Sequence, residues 1–400
     1  MRFPDDLAEP SGGRIVLLVL DGLGGLPHPD TGRTELESAD TQNLDALAKR
    51  AALGLSLPVG LGITPGSGPG HLALFGYDPV EYAVGRGVLS ALGVGCEIRL
   101  GDIAVRLNFA TLDADGRVLD RRAGRPSDAE NRRLVAKLRD NVTAPEGVQV
   151  FFEPEKEHRA VLVLRGDGLE AELGDTDPQE TGVPPLAVEA KGEGSRRAAS
   201  ILQGVLDGAR AVLADEPAAN ALLARGIDAY QAFPSFEERF RLRANAIARY
   251  PMYLGVAKLV GMETNAIAPD DAGSVATLES TYDAFDFHFL HFKAMDSRGE
   301  DGDFEAKSRA IAAADALVPR IRALEPDVLI VTGDHSTPSS LRAHSWHGVP
   351  LMIVSPWTRP SQSAEFGERA CASGELGLVP AKELMTLALA HAGRLAKYGA

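Results

Sequence analysis

An α/β fold with a doubly wound sheet and a smaller α+β domain inserted into it is what this sequence predicts, on three observations. The continuous apolar run at 15–20 stops at Asp21-Gly22, the pattern of a parallel strand buried on both faces. Residues 327–335 repeat that plan up to Asp334-His335, and 285–292 run toward Asp296, so three strands lead to acidic residues. Helical stretches separate them, at 41–52 with Leu44, Leu47 and Ala51 at helical spacing, at 198–213 and at 307–324. Strands alternating with helices build a doubly wound sheet. In such sheets the ligand crevice lies beyond the carboxyl ends of the strands, so acids far apart in sequence are expected to converge there.

The middle of the chain is patterned differently. Residues 101–113 and 117–122 read as a hairpin joined at Asp115-Gly116. A helix near 127–138 follows, then strands at 148–152 and 160–164, and 176–185 is a Pro-bearing loop. This α+β segment is expected to be a substrate-binding cap spanning 98–240, with 1–97 and 241–400 as the core domain. A chain of 400 residues is long enough for both.

Charge and cysteine usage exclude several function classes. The 41 Lys and Arg against 56 Asp and Glu give a formal charge of -15, whose field repels nucleic acid and anionic lipid surfaces. A small anionic substrate stays open, because local arginines and bound cations invert the sign of a cleft. Cys96 and Cys371 make neither a disulfide framework nor a CxxC motif, which fits a reducing compartment. The start, Met1-Arg2-Phe3-Pro4-Asp5-Asp6, has no basic stretch leading into an apolar core, and no apolar run has membrane-spanning length. A cytoplasmic location is therefore expected.

Nucleotide motifs fail on inspection. Gly22-Leu23-Gly24 has Pro27 where a dinucleotide fingerprint needs its third glycine, and Gly66–Gly70 is not followed by Gly-Lys-Ser/Thr. Residues 296–307 lack the glycine and final acid of a calcium loop. Asp334-His335 at a strand end offers oxygen and nitrogen ligands side by side, a set suited to zinc or manganese, although such pairs also occur as plain turns. Thr64–Phe75 is a Gly-rich turn opening into a helix. It reads either as an ordinary capped helix or as a place where amides and the helix dipole favour phosphate beside Ser67.

Taken together these segments are specific. Strand-Asp21-Gly22, Thr64–His71, His291-x-Lys293-x-x-Asp296-x-x-Gly299, Asp334-His335-Ser336-Thr337-Pro338 and His344-Ser345-x-x-x-Val349-Pro350 occur in the order seen in the alkaline phosphatase superfamily. The whole resembles the archaeal-type, cofactor-independent phosphoglycerate mutases. Asn108–Thr111, Asp120–Arg125, Glu157-His158-Arg159, Asp175–Pro178, Gly261-Met262 and Glu368–Cys371 are similar to that family too, so the likeness spans most of residues 14–391.

The resemblance implies an alkaline-phosphatase-like core and an isomerase of glycolysis and gluconeogenesis. Such an enzyme interconverts 3-phosphoglycerate and 2-phosphoglycerate through a phosphoserine, with two divalent metals and no bisphosphoglycerate. Ser67 would be the nucleophile. One metal would be held by Asp21, Ser67, Asp334 and His335, the other by Asp296, His344 and the residue four beyond Asp296. That residue is typically histidine in the family and is Glu300 here, which shifts preference toward manganese or magnesium and away from zinc, with cobalt also possible. His347 is an alternative ligand, or a plain polar loop residue. Arg86, Arg122, Arg125, His158, Arg159, Arg165, Arg225 and Lys258 are the candidates to grip phosphate and carboxylate, since guanidinium forks match both. The alternative reading keeps the metals and the serine but makes the chain a phosphatase or phosphomutase acting on another small phosphate ester.

Overall fold

The computed structural model describes residues 5–360 and 362–399. Positions 1–4 of the opening segment lie outside the described residues, as do 361 and 400. Two compact units result, one from the described parts of Met1–Ala83 and Phe233–Ala400, the other from Val84–Ala232. The smaller unit begins ahead of residue 98 because the helix Arg86–Gly93 packs against its strands.

Strands are numbered here in chain order. β1 (Ile15–Leu20) and β2 (Ala52–Leu57) open the larger unit; β3 (Ile103–Leu112), β4 (Val118–Asp120), β5 (Gln149–Pro154), β6 (Arg159–Arg165) and β7 (Ala221–Ala229) make the smaller one. The larger unit resumes with β8 (Ala244–Ile247), β9 (Glu263–Thr264), β10 (Phe287–Phe292), β11 (Val328–Thr332), β12 (Val349–Val354) and β13 (Gly377–Pro380).

The larger sheet has the order β13-β2-β12-β11-β1-β10-β8-β9. Only β12 runs against its neighbours. β1 is fully buried along its length, as its all-apolar sequence demands, and helices supply the apolar side chains Leu44, Leu47, Val275, Leu278, Ile311 and Ile321 to the same core. Each such burial contributes about 1.5–3 kcal/mol. β1 lies between β10 and β11 in parallel register, Leu20 beside Phe292 and Val19 beside Thr332. The Asp21 amide donates to the Phe292 carbonyl at 2.9 Å. These three strands thus end level, and whatever follows each of them meets the others.

The smaller unit is an antiparallel sheet, β4-β3-β6-β5 with β7 on β3, over a core of its own containing Val105, Leu134, Leu162, Leu202 and Leu222. The expected hairpin, helix and strands are present, the helix as Asp128–Asn141 with Ser127 as its cap. Two predicted helices differ. The first ends at Ala48 and gives way to β2, while 307–324 divides into Phe304–Asp315 and Val318–Arg322, where Pro319 in a first turn starts a new helix.

Candidate active site

The nucleophile candidate is set by a helix start. Gly66 caps Ser67–Leu74, so Ser67 is the first helical residue, where backbone amides lack intrahelical partners. The helix can come this close to β11's end only because residue 70 is glycine: a Cβ there would lie 2.4 Å from the Asp334 carbonyl oxygen. Gly22, with φ of 66°, turns the chain sharply after Asp21, and its amide donates to Asp334 Oδ1 at 3.2 Å.

Four predicted residues meet around one nitrogen. His335 Nε2 is 3.2 Å from Ser67 Oγ, 3.2 Å from Asp334 Oδ2 and 3.5 Å from Asp21 Oδ1. Its tautomer follows from its neighbour. Thr337 Oγ1 gives its single proton to Asp296 Oδ1 at 2.7 Å, so at 2.9 Å it accepts from His335 Nδ1, leaving Nε2 as a bare lone pair. Burial lowers the affinity of His335 for a second proton. His344 differs: Nδ1 donates to the Pro65 carbonyl at 2.9 Å, Nε2 faces Asp296 Oδ1 at 3.5 Å, and although burial opposes it, Asp296 and that carbonyl push the imidazole up to about 9.

Two groups of ligand atoms suited to a metal ion result, Asp21-Asp334-His335 and Asp296-His335-His344. The sequence pattern assigns His335 to the first alone; in the folded chain it belongs to both. Glu300 Oε1 stands 3.9 Å from His344 Nε2 on a half-exposed side chain, and burial followed by the charge of Asp296 raises its pKa. His347 joins neither group. It hydrogen-bonds Ser345 and stacks on Trp346.

The donors fit divalent cations. Asp21 Oδ1 and Asp334 Oδ2 are fully buried carboxylate oxygens without a hydrogen-bond partner, a costly arrangement that a bound cation removes. Although burial opposes ionisation, Lys293 and His291 hold Asp21 well below the usual carboxylate range. His291 Nε2 lies 3.0 Å from Asp21 Oδ2. His71 Nδ1 lies 2.8 Å from the Ser67 carbonyl and 3.2 Å from Asp334 Oδ2. His71, His291, Lys293 and Thr337 were visible inside the sequence motifs but carried no assigned role there.

Ligand loops are braced from behind. Lys307, fully buried, donates to the Gly24 and Thr337 carbonyls at 2.9 and 2.8 Å. Glu368 accepts from the Gly25 amide at 2.9 Å and the Thr34 hydroxyl at 2.5 Å.

The smaller unit gathers positive charge around His158. Burial and then Arg159, Arg122, Arg106 and Arg125 push this imidazole down to about 3, the mark of a cationic pocket able to take an anion. Ala123, Arg125 and Glu157 beside it have φ of 47°, 54° and 53°, backbone strain that concentrates at binding sites. Asn131 Nδ2 braces it by donating to the Glu157 and Arg159 carbonyls, each at 2.7 Å. Arg106 was not predicted, although it is the sole charge in the apolar run of β3.

The other predicted arginines make contacts of their own, although Arg225 pairs in register with Arg106. Arg165 donates to Asp102, at 2.7 Å in its shortest contact, and lies over the Phe151 ring. Arg225 is 3.4 Å from Asp177, which Arg121 grips with both arms. Arg86 is exposed at a helix start, and Lys258 sits in the last turn of the larger unit's helix Pro251–Leu259.

Comparison with known proteins gives consistent results. A profile of the family described as 2,3-bisphosphoglycerate-independent phosphoglycerate mutase matches residues 48–219. A protein of Thermus thermophilus named probable 2,3-bisphosphoglycerate-independent phosphoglycerate mutase is 51% identical over 398 residues, 99% of this chain and 98% of its own. One of Thermotoga maritima with the same name is 48% identical over 399 residues, 100% and 99% of the two chains. Among solved structures, the PH0037 protein from Pyrococcus horikoshii superposes with a TM-score of 0.84 at 28% identity, covering 97% of this chain and 100% of that one. The cofactor-independent phosphoglycerate mutase from Thermoplasma acidophilum gives 0.69 at 29% identity, covering 95% and 100%.

Proposed function

Because the chain belongs to the 2,3-bisphosphoglycerate-independent phosphoglycerate mutase family, we propose that it interconverts 3-phosphoglycerate and 2-phosphoglycerate with Ser67 as the phosphoryl carrier. One observation supports this above the rest: Ser67 Oγ lies 3.2 Å from a bare His335 Nε2 that also faces the orphaned oxygens of Asp21 and Asp334. Asp21, Ser67, Asp334 and His335 would hold one divalent ion, and Asp296, Glu300 and His344 the other, with His335 within reach of both. When bound, two such ions supply charge neutralisation at the attacking and leaving oxygens and make a serine hydroxyl easier to deprotonate. Three carboxylates and Glu300 make a hard, oxygen-rich donor set, which favours manganese or magnesium.

Ser67 Oγ attacks the phosphorus of 3-phosphoglycerate. The bond from phosphorus to the 3-oxygen breaks, and that oxygen takes up a proton as the serine loses one. Glycerate then presents its 2-hydroxyl, which gives up its proton and receives the phosphoryl group as Ser67 is restored. No net proton, water or cofactor is consumed. The amides at the start of Ser67–Leu74 orient the phosphoryl oxygens. Keeping glycerate bound between the two transfers separates a mutase from a phosphatase, and we assign that to Arg122, Arg125, His158 and Arg159. A cytoplasmic, glycolytic setting accords with this activity and with the absence, among the described residues, of a helix long and apolar enough to cross a membrane.

The test is metal-stripped protein resupplied separately with manganese, magnesium, cobalt or zinc, without bisphosphoglycerate, following 2-phosphoglycerate and free phosphate together. Conversion with little phosphate release is expected. Phosphate release alone would replace the mutase with a phosphatase.

A further inference from the structure

Asp21 and Asp296 divide their oxygens in the same way. Each turns Oδ1 toward imidazole: Asp21 Oδ1 is 3.5 Å from His335 Nε2, and Asp296 Oδ1 is 3.5 Å from His344 Nε2. Each turns Oδ2 toward one ammonium, although Oδ2 of Asp21 also meets His291 Nε2 at 3.0 Å. Lys293 Nζ is 3.1 Å from Asp21 Oδ2 and donates to Asp296 Oδ2. The two aspartates belong to different ligand groups, so a single side chain spans both. Its own placement is fixed, with Nζ 5.4 Å from the centre of the buried Tyr253 ring and the residue directly following β10.

We infer that Lys293 is a positioning residue that brackets the two metal sites, occupying Oδ2 of Asp296 and, together with His291, Oδ2 of Asp21, so that each aspartate leaves Oδ1 for its ion. The inference rests on the metal-dependent reading above and adds to it a residue outside both ligand sets. It also separates two effects of opposite sign. As a charge, an ammonium this close to two ligands repels an incoming cation, and its removal should tighten binding. As a bracket, it holds two carboxylates in the orientation a cation needs, and its removal should loosen binding, as loss of an outer-shell partner does.

Mn2+ titration of the metal-stripped full-length protein, read by the electron paramagnetic resonance signal of free Mn2+, distinguishes them. Lys293→Met is expected to weaken Mn2+ binding by about 10- to 100-fold despite the lost positive charge, with its circular dichroism spectrum unchanged. Lys293→Gln, one bond shorter and so able to hold only one of the two carboxylates, should fall between Met and wild type. Binding by Lys293→Met as tight as wild type, or tighter, overturns the bracket. Should the Met variant fail to fold, Lys293→Gln decides alone: affinity below wild type upholds the inference, and affinity at or above it refutes it. A wild-type protein that binds Mn2+ but does not isomerise phosphoglycerate would refute the functional reading and leave the bracket standing.

Discussion

Replacing Glu368 by Gln should remove a pH dependence of stability built into the larger unit. This carboxyl group is partly buried beneath the loop that follows Asp21, where it accepts from the Gly25 amide and the Thr34 hydroxyl. Burial pushes it from 4.5 up to about 7, against those two hydrogen bonds and the charge of Lys307, which favour ionisation. The folded protein therefore holds this proton more tightly than the unfolded chain. The group's stabilising contribution is complete below about 4.5 and is lost as pH rises through about 7, where the curve levels. That interval, at about 1.4 kcal/mol per pH unit, is worth about 3 kcal/mol. Glu368→Gln stays neutral throughout and keeps an acceptor for Gly25. Urea unfolding at pH 5 and pH 8 should find the two proteins similar at the lower pH and the variant more stable by up to about 3 kcal/mol at the higher. Equal pH dependence in both proteins would refute the reasoning.

Three further outcomes follow from named contacts. Gly70→Ala places a Cβ 2.4 Å from the Asp334 carbonyl oxygen, about 1 Å inside ordinary contact; kcat should fall about 100-fold with the fold retained, and near-wild-type turnover would show that the nucleophile helix tolerates displacement. Asn131→Leu strips the donor from two carbonyls beside His158 and should cost about 3 kcal/mol, which thermal unfolding checks; an unchanged midpoint would show that these bonds do not brace the cluster. Arg122→Ala should raise KM for 3-phosphoglycerate about tenfold or more while leaving hydrolysis of a generic phosphate ester intact, and unchanged mutase kinetics would remove Arg122 from the grip on substrate.

Much of the site was legible because sheet geometry makes it so. Three strands ending in acids, once parallel and adjacent, must bring Asp21, Asp296 and Asp334 together, and the predicted convergence needed only the order β11-β1-β10. What sequence could not give is how each carboxylate shares its two oxygens, because that depends on Thr337 and Lys293, whose side chains lie beside Asp296 only in the folded chain. The strand β7 was missed because Ala221-Leu222-Leu223-Ala224 suits a helix by propensity, and pairing with β3 overrides it. The strand β2 was not read either, although its Leu53, Leu55 and Leu57 alternate from the point where the helix expected at 41–52 stops. Arg106 was a further legible signal left unused, the sole charge of β3, whose guanidinium lies 3.7 Å from the Glu155 carboxylate.

The central claim is that Ser67 carries the phosphoryl group between the two hydroxyls of one glycerate. The most direct measurement is acid quench of manganese-loaded protein turning over 3-phosphoglycerate labelled in its phosphate, followed by mapping the protein-bound label to a peptide. Label on the peptide bearing Ser67, absent from Ser67→Ala, is the predicted result. Isomerisation by Ser67→Ala, or label on any other residue, would contradict it.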